Sequence, residues 1–150
     1  MNCFWLAILI PLIGYLLLAF SRGCWSETIT SIIGVGSIGL AALATGYSSL
    51  LFMKQNIQSY YYSMWQWISV GKFKVDFDFN LDRLSLTMLS VVTGVGFLIH
   101  LFSTWYMKGK EGYSRFFAYT NLFIASMSLL VLADNLLLMY FGWECVGLCS

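Results

Sequence analysis

Charge is what this sequence most lacks. Of its 150 residues, 8 are Lys or Arg and 7 are Asp or Glu, which leaves 10% charged and a formal net charge of +1. An ordinary soluble domain carries roughly 25% charged residues. No basic patch dominates, which excludes a nucleic-acid binder. The single His100 has no Ser/His/Asp set around it, and no phosphate-binding loop is present. The four cysteines show no metal-site spacing. Cys3 and Cys24 flank the first apolar run on opposite sides, and Cys145 and Cys149 are i,i+4 with no second pair of ligands. Soluble-enzyme chemistry therefore has no residues to rest on.

What is abundant is apolar surface: 59% of residues are hydrophobic and 18% aromatic. One soluble core of this size could not hide that much, and a disordered chain would not carry it. The few charges are also bunched. Residues 1–21, 28–53, 84–107 and 116–133 carry no Asp, Glu, Lys or Arg. A helix crossing a bilayer core about 30 Å thick needs roughly 17–25 residues. Lipid offers no partners to free backbone groups, so these runs are helices. A membrane strand would need polar/apolar alternation, which residues 91–102 do not sustain. The first run has no positive n-region and no A-x-A site, and reads as a helix, not a signal peptide. A last apolar run, broken only by Glu144, reaches Ser150 before it could cross.

The expected fold is an all-α polytopic membrane protein, with four full transmembrane helices and the start of a fifth. The helices fall near residues 3–20, 28–53, 83–107, 114–133 and 135–150. The chain reads as one membrane segment, the N-terminal part of a longer protein. Asp134 and Asn135 form a minimal connector, which makes the fourth and fifth helices antiparallel neighbours, with Asp134 as N-cap.

The connection between the second and third helices has a different period. Phe73, Val75, Phe77, Phe79 and Leu81 alternate with Lys74, Asp76, Asp78, Asn80 and Asp82. Trp65 and Trp67 alternate with Gln66 and Ile68, and residues 69–72 read as a turn. Period two is the strand signature, so residues 62–81 are expected to form an extramembrane β-hairpin with one apolar face. That face lies either on the protein's own helix ends and the headgroup layer or on a neighbouring subunit, because an isolated hairpin is marginal alone. The short basic loop with Lys108, Lys110 and Arg115 favours the cytoplasmic side for itself, which puts the N-terminus and the hairpin outside.

Glu144 is the strongest candidate site residue. It lies ten residues past Asp134, roughly 15 Å along a helix, near mid-membrane. A carboxylate there costs about 2.5 kcal/mol or more unless paired, hydrated or protonated. Burial favours its protonated form and a nearby cation its ionised form, so such a group can bind and release a proton. The alternative is a structural carboxylate holding helices together. Gly142, Cys145, Gly147, Cys149 and Ser150 would permit close helix contact or a water-filled gap beside it. His100 is a candidate proton relay or a hydrogen-bonded packing residue. Gly34, Gly36 and Gly39 fit G-x-G-x-x-G but sit in an apolar run without a preceding strand, so helix contact explains them better than nucleotide binding.

Three stretches carry a resemblance: Asp82-Arg83-Leu84-Ser85-Leu86-Thr87-Met88-Leu89, the run from Tyr113-Ser114-Arg115-Phe116-Phe117 through Tyr119-Thr120-Asn121, and Gly142-Trp143-Glu144. The sequence resembles the antiporter-like membrane subunits of bacterial NADH:quinone oxidoreductase, respiratory complex I. The resemblance implies a proton-translocating subunit of the inner membrane's respiratory chain, partnered by other membrane-arm subunits and the lipid bilayer. It implies that Glu144 is the acidic residue of a first half-channel, working with a lysine beyond these residues. Cys145 stands where the family commonly has Gly, which narrows the space beside Glu144. It implies a periplasmic hairpin, here residues 65–81, contacting the adjacent subunit. No cofactor is expected in this chain; NADH, FMN, iron–sulfur clusters and quinone belong to other subunits. A multisubunit cation/proton antiporter shares the Gly-Trp-Glu logic, and a purely structural membrane subunit is the third reading.

Overall fold

A computed structural model describes residues 4–21, 23–55, 59–71 and 73–150. Its order is α1 (Leu6–Phe20), α2 (Glu27–Gln55), β1 (Ser59–Val70), β2 (Phe73–Asp82), α3 (Arg83–Tyr106), α4 (Tyr113–Leu132) and α5 (Leu136–Cys149). Helix α4 is the hub. It packs on α1, α2, α3 and α5 and touches β2, and half of its apolar window is buried against 28% for α2 and α3.

Among the described residues, three helices, α2, α3 and α4, are long and apolar enough to cross a membrane. The expectation of four full spans is therefore corrected at the first. Helix α1 has 15 residues, about 22 Å at 1.5 Å per residue, and the 14-residue α5 is also short. The reason lies at Phe4, which is fully buried in a turn ahead of α1 instead of extending it. Its ring meets Tyr60, Tyr62 and Phe79 edge-on at 5.9–6.3 Å between centroids. The expected start of the first helix at Cys3 and the loop residue Arg22 lie outside the described residues.

Glycine works as a spacer between the helices. A Cβ on Gly34 would lie 2.6 Å from the Phe117 ring, and one on Gly96 would lie 2.7 Å from Ile124. Gly39 sits close to Phe97, while Gly36 meets nothing within 4 Å. Two members of the G-x-G-x-x-G run are thus helix contacts. Close approach also lets Ser37 of α2 donate to Asn121 of α4 at 2.9 Å, beside Gly14 of α1.

The strands pair antiparallel from Ser59↔Asp82 to Val70↔Phe73. The turn is tighter than the four residues expected, with Gly71 at φ 59°; Lys72 lies outside the described residues. Two bulges, between Ser63 and Trp65 and between Gln66 and Ile68, break the alternation along β1. Val75, Phe79 and Leu81 are buried as their period predicts. Phe79 and Leu81 pack with Phe52, Leu86, Leu89, Leu132 and Leu138 over one end of the helices, so this part of the hairpin's face lies on the chain's own helix ends.

The α4–α5 connector fastens β2 in place. Ala133 bridges Phe79, the Asp134 N–H donates to the Asp78 carbonyl at 3.1 Å, and Asn135 Nδ2 donates to the Asp76 carbonyl at 2.7 Å. The N-cap of α5 is Asn135 and not Asp134. Asn135 is extended, at φ −121° and ψ 155°, and its Oδ1 accepts from Leu138 N–H at 2.8 Å. Across the hairpin, the Tyr61 hydroxyl donates to the buried Asp78 carboxylate. That hydrogen bond, burial and the negative charges of Asp78, Asp134 and Asp76 push the Tyr61 phenol up to about 12.

Candidate functional site

Helix α5 carries Glu144. Asn135 starts the helix at the hairpin end, and Gly142 holds it against α4, where a Cβ would fall 3.0 Å from the Leu130 backbone. Glu144 follows nine positions after Asn135, roughly 13 Å down the helix axis, and is exposed on this chain. A shallow cavity of about 570 Å³ beside it is lined by Phe141, Trp143, Glu144, Cys145, Gly147 and Leu148. The Tyr140 hydroxyl, one turn earlier, is on the same side of the helix as the carboxylate. No ion pair to Glu144 is formed among the described residues.

The small residues around Glu144 divide by face. Gly142 is buried against α4, Cys149 reaches toward Ser126, and Gly147 meets nothing within 4 Å. Helix contact and an open side are therefore both present, on different faces of one helix.

His100 stands elsewhere. It is 3% exposed on α3, and its Nδ1 lies 2.8 Å from the carbonyl of Gly96 in the same helix. Its ring meets Phe117 edge-on at 6.0 Å, while Nε2 has no partner. Phe117 is in the second turn of α4 and Leu130, the neighbour of Gly142, in its last, roughly 20 Å apart along the axis. The structure does not bring His100 and Glu144 together.

Two polar features escape the sequence reading. Tyr140 is legible only from its i−4 spacing to Glu144. The Ser37–Asn121 pair has one signal, an amide inside an otherwise apolar run. Asn121 is fully buried, and its Nδ2 has no partner.

Comparison with known proteins gives the same family as the motifs. A family model described as "NADH-Ubiquinone oxidoreductase (complex I), chain 5 N-terminus" matches residues 67–117, from the hairpin into α4. The chain is 65% identical over 150 residues to "NADH-quinone oxidoreductase subunit L" of Escherichia coli (strain K12), covering 100% of this chain and 24% of that protein. It is 59% identical over 152 residues to the protein of that name in Pseudomonas aeruginosa, covering 100% and 25%. Against the Mycobacterium tuberculosis (strain ATCC 25618 / H37Rv) protein the figures are 36% over 149 residues, 97% and 23%. The chain thus spans about a quarter of the length of the curated relatives it matches. With three membrane-length apolar helices among the described residues and a hairpin, the chain is similar along its whole length to NADH-quinone oxidoreductase subunit L, and its residues 67–117 match the N-terminal family model of complex I chain 5.

Proposed function

We propose that this chain forms part of a proton-translocating subunit of NADH-quinone oxidoreductase, with Glu144 as the carboxylate that takes up and releases the proton. The observation that carries the reading is the position of Glu144: on α5, roughly 13 Å from the helix start, without a counter-charge among the described residues. An ionised carboxylate at that depth is costly unless paired, hydrated or protonated. The reading needs a cation from a later segment of the full-length protein. With the cation near, Glu144 holds its negative charge; with the cation withdrawn, it takes a proton. The proton goes onto a carboxylate oxygen and leaves from it, and no redox step falls on this chain. His100, bound to its own helix backbone and distant from Glu144, serves packing in this reading and is not part of the relay.

The orientation follows the loop charges, with the N-terminus and hairpin periplasmic in a bacterial inner membrane. The hairpin's outer part, with Tyr61, Met64, Trp65 and Trp67 exposed, is the surface for the adjacent membrane-arm subunit. Glu144→Gln and Glu144→Asp in the full-length protein test the central role. NADH-driven acidification of membrane vesicles should fall several-fold in the Gln variant while the complex still assembles, and Asp should retain part of it. Undiminished pumping by an assembled Gln variant overturns the role. Cation/proton exchange without any link to NADH oxidation would favour the antiporter reading instead.

A further inference from the structure

At the end of the bundle away from the hairpin, a cavity of about 770 Å³ opens between α1, the start of α2 and the start of α4. Four charged residues line it, two cations (Lys110, Arg115) and two carboxylates (Glu27, Glu111). Among the described residues no ion pair joins any of them. Glu27 accepts from the Gly109 N–H at 3.1 Å, and Lys110 lies 4.4 Å from the centroid of the Tyr106 ring. Opposite charges that share a cavity without pairing leave room for a ligand that bears both.

Two further observations show where each part would sit. Helix α4, 20 residues long, begins at Gly112, which is left-handed at φ 86° and gives no side-chain cap. Phe116 N–H is the first to bond back, to Gly112, so the N–H groups of residues 113–115 point out of the helix end. Such an end attracts an oxyanion, and Arg115 adds a guanidinium. Independently, Thr30 lines the same cavity, is 1% exposed, and its Oγ1 has no partner. A buried hydroxyl without a partner is costly and marks a polar group missing beside it. The walls below are apolar and aromatic, with Leu18, Ala118 and Tyr119, as an acyl chain requires.

We infer that this cavity is a binding site for a phospholipid with a zwitterionic amine headgroup. Its phosphate lies at the α4 N-terminus and Arg115, its ammonium by Glu111 and Glu27, and its acyl chains run along the α1–α4 groove. A primary ammonium, with three N–H donors, suits carboxylates better than a quaternary one. The inference rests on the membrane-spanning reading of α2–α4 and not on the role of Glu144.

The test uses the full-length protein in its assembled complex. Purified complex is reconstituted into vesicles of phosphatidylcholine containing either phosphatidylethanolamine or phosphatidylglycerol, re-extracted, and weighed by native mass spectrometry. Retention of phosphatidylethanolamine over both other lipids is expected. Arg115→Gln should lower that retention at least ten-fold, Arg115→Lys should preserve most of it, and Glu111→Gln should remove the preference over phosphatidylcholine. Equal retention in Arg115→Gln, or retention of phosphatidylglycerol as strong as that of the amine lipid, overturns the inference. So does binding of soluble phosphoethanolamine alone with no lipid retained, which would make the ligand a free phosphate ester.

Discussion

Gly142 has no room for a methyl group. A Cβ would lie 3.0 Å from both N and Cα of Leu130, and neither is the free end of a side chain. Gly142→Ala should therefore push α5 off α4 and cost about 1–3 kcal/mol, the range for overpacking. Gly147→Ala, with nothing within 4 Å, should leave stability unchanged. Thermal unfolding of the two full-length variants in detergent checks the contrast, and equal loss in both would contradict it. Both glycines were legible as small residues near Glu144, but which one touches a neighbour depends on how α5 is turned, and a run apolar on every side gives no face. The same holds for Gly34 and Gly39 against Gly36. Tyr61 gives a second residue-scale prediction. Its phenol is pushed up from 10.0 to about 12, so the stability it adds is complete below pH 10 and fades as pH rises toward 12. Phenolate absorbance, compared between the protein and Tyr61→Phe, should show no ionisation of this residue at pH 10.

At the scale of elements, the hairpin and the α4–α5 connector are one unit. Asn135 caps α5 through Oδ1 and holds β2 through Nδ2. Asn135→Ala should lose both and cost about 1–2 kcal/mol, the upper range for an N-cap. Asn135→Asp keeps the cap but not the amide donor, so it should cost less. Limited proteolysis of the hairpin in membranes measures the difference, with faster cleavage expected in Ala than in Asp. The hairpin itself was legible, because period two cannot be mistaken for a helix when it runs from Phe73 to Asp82. The bulges in β1 were not, since they arise from how β1 fits the opposing strand. The sequence alone does not fix the cap, because Asp134 and Asn135 are both competent. What decides between them is a long-range contact, the bond from Asp134 N–H to Asp78. The shortness of α1 has no signal in the sequence, because hydropathy does not distinguish a helix from the buried turn at Phe4, which tertiary aromatic contacts fix.

For the whole molecule, the hairpin covers one end of the helices, and two of the surfaces left exposed bear on function: the outer aromatic part of the hairpin and the Glu144 side of α5. The first is the proposed contact for a neighbouring subunit. Trp67 is 40% exposed and meets Phe77 and Phe141 edge-on. Trp67→Ala should lower the amount of assembled complex on native gels while the inserted subunit remains, and unchanged assembly would count against that contact. The second surface carries the claim on which the functional account depends, that one carboxyl group exchanges a proton during turnover. Infrared difference spectroscopy of the full-length complex, oxidised against NADH-reduced, reads this directly. The account predicts a carboxylic-acid C=O band that changes during turnover and is missing from Glu144→Gln. An identical difference spectrum in the assembled Gln variant would contradict it.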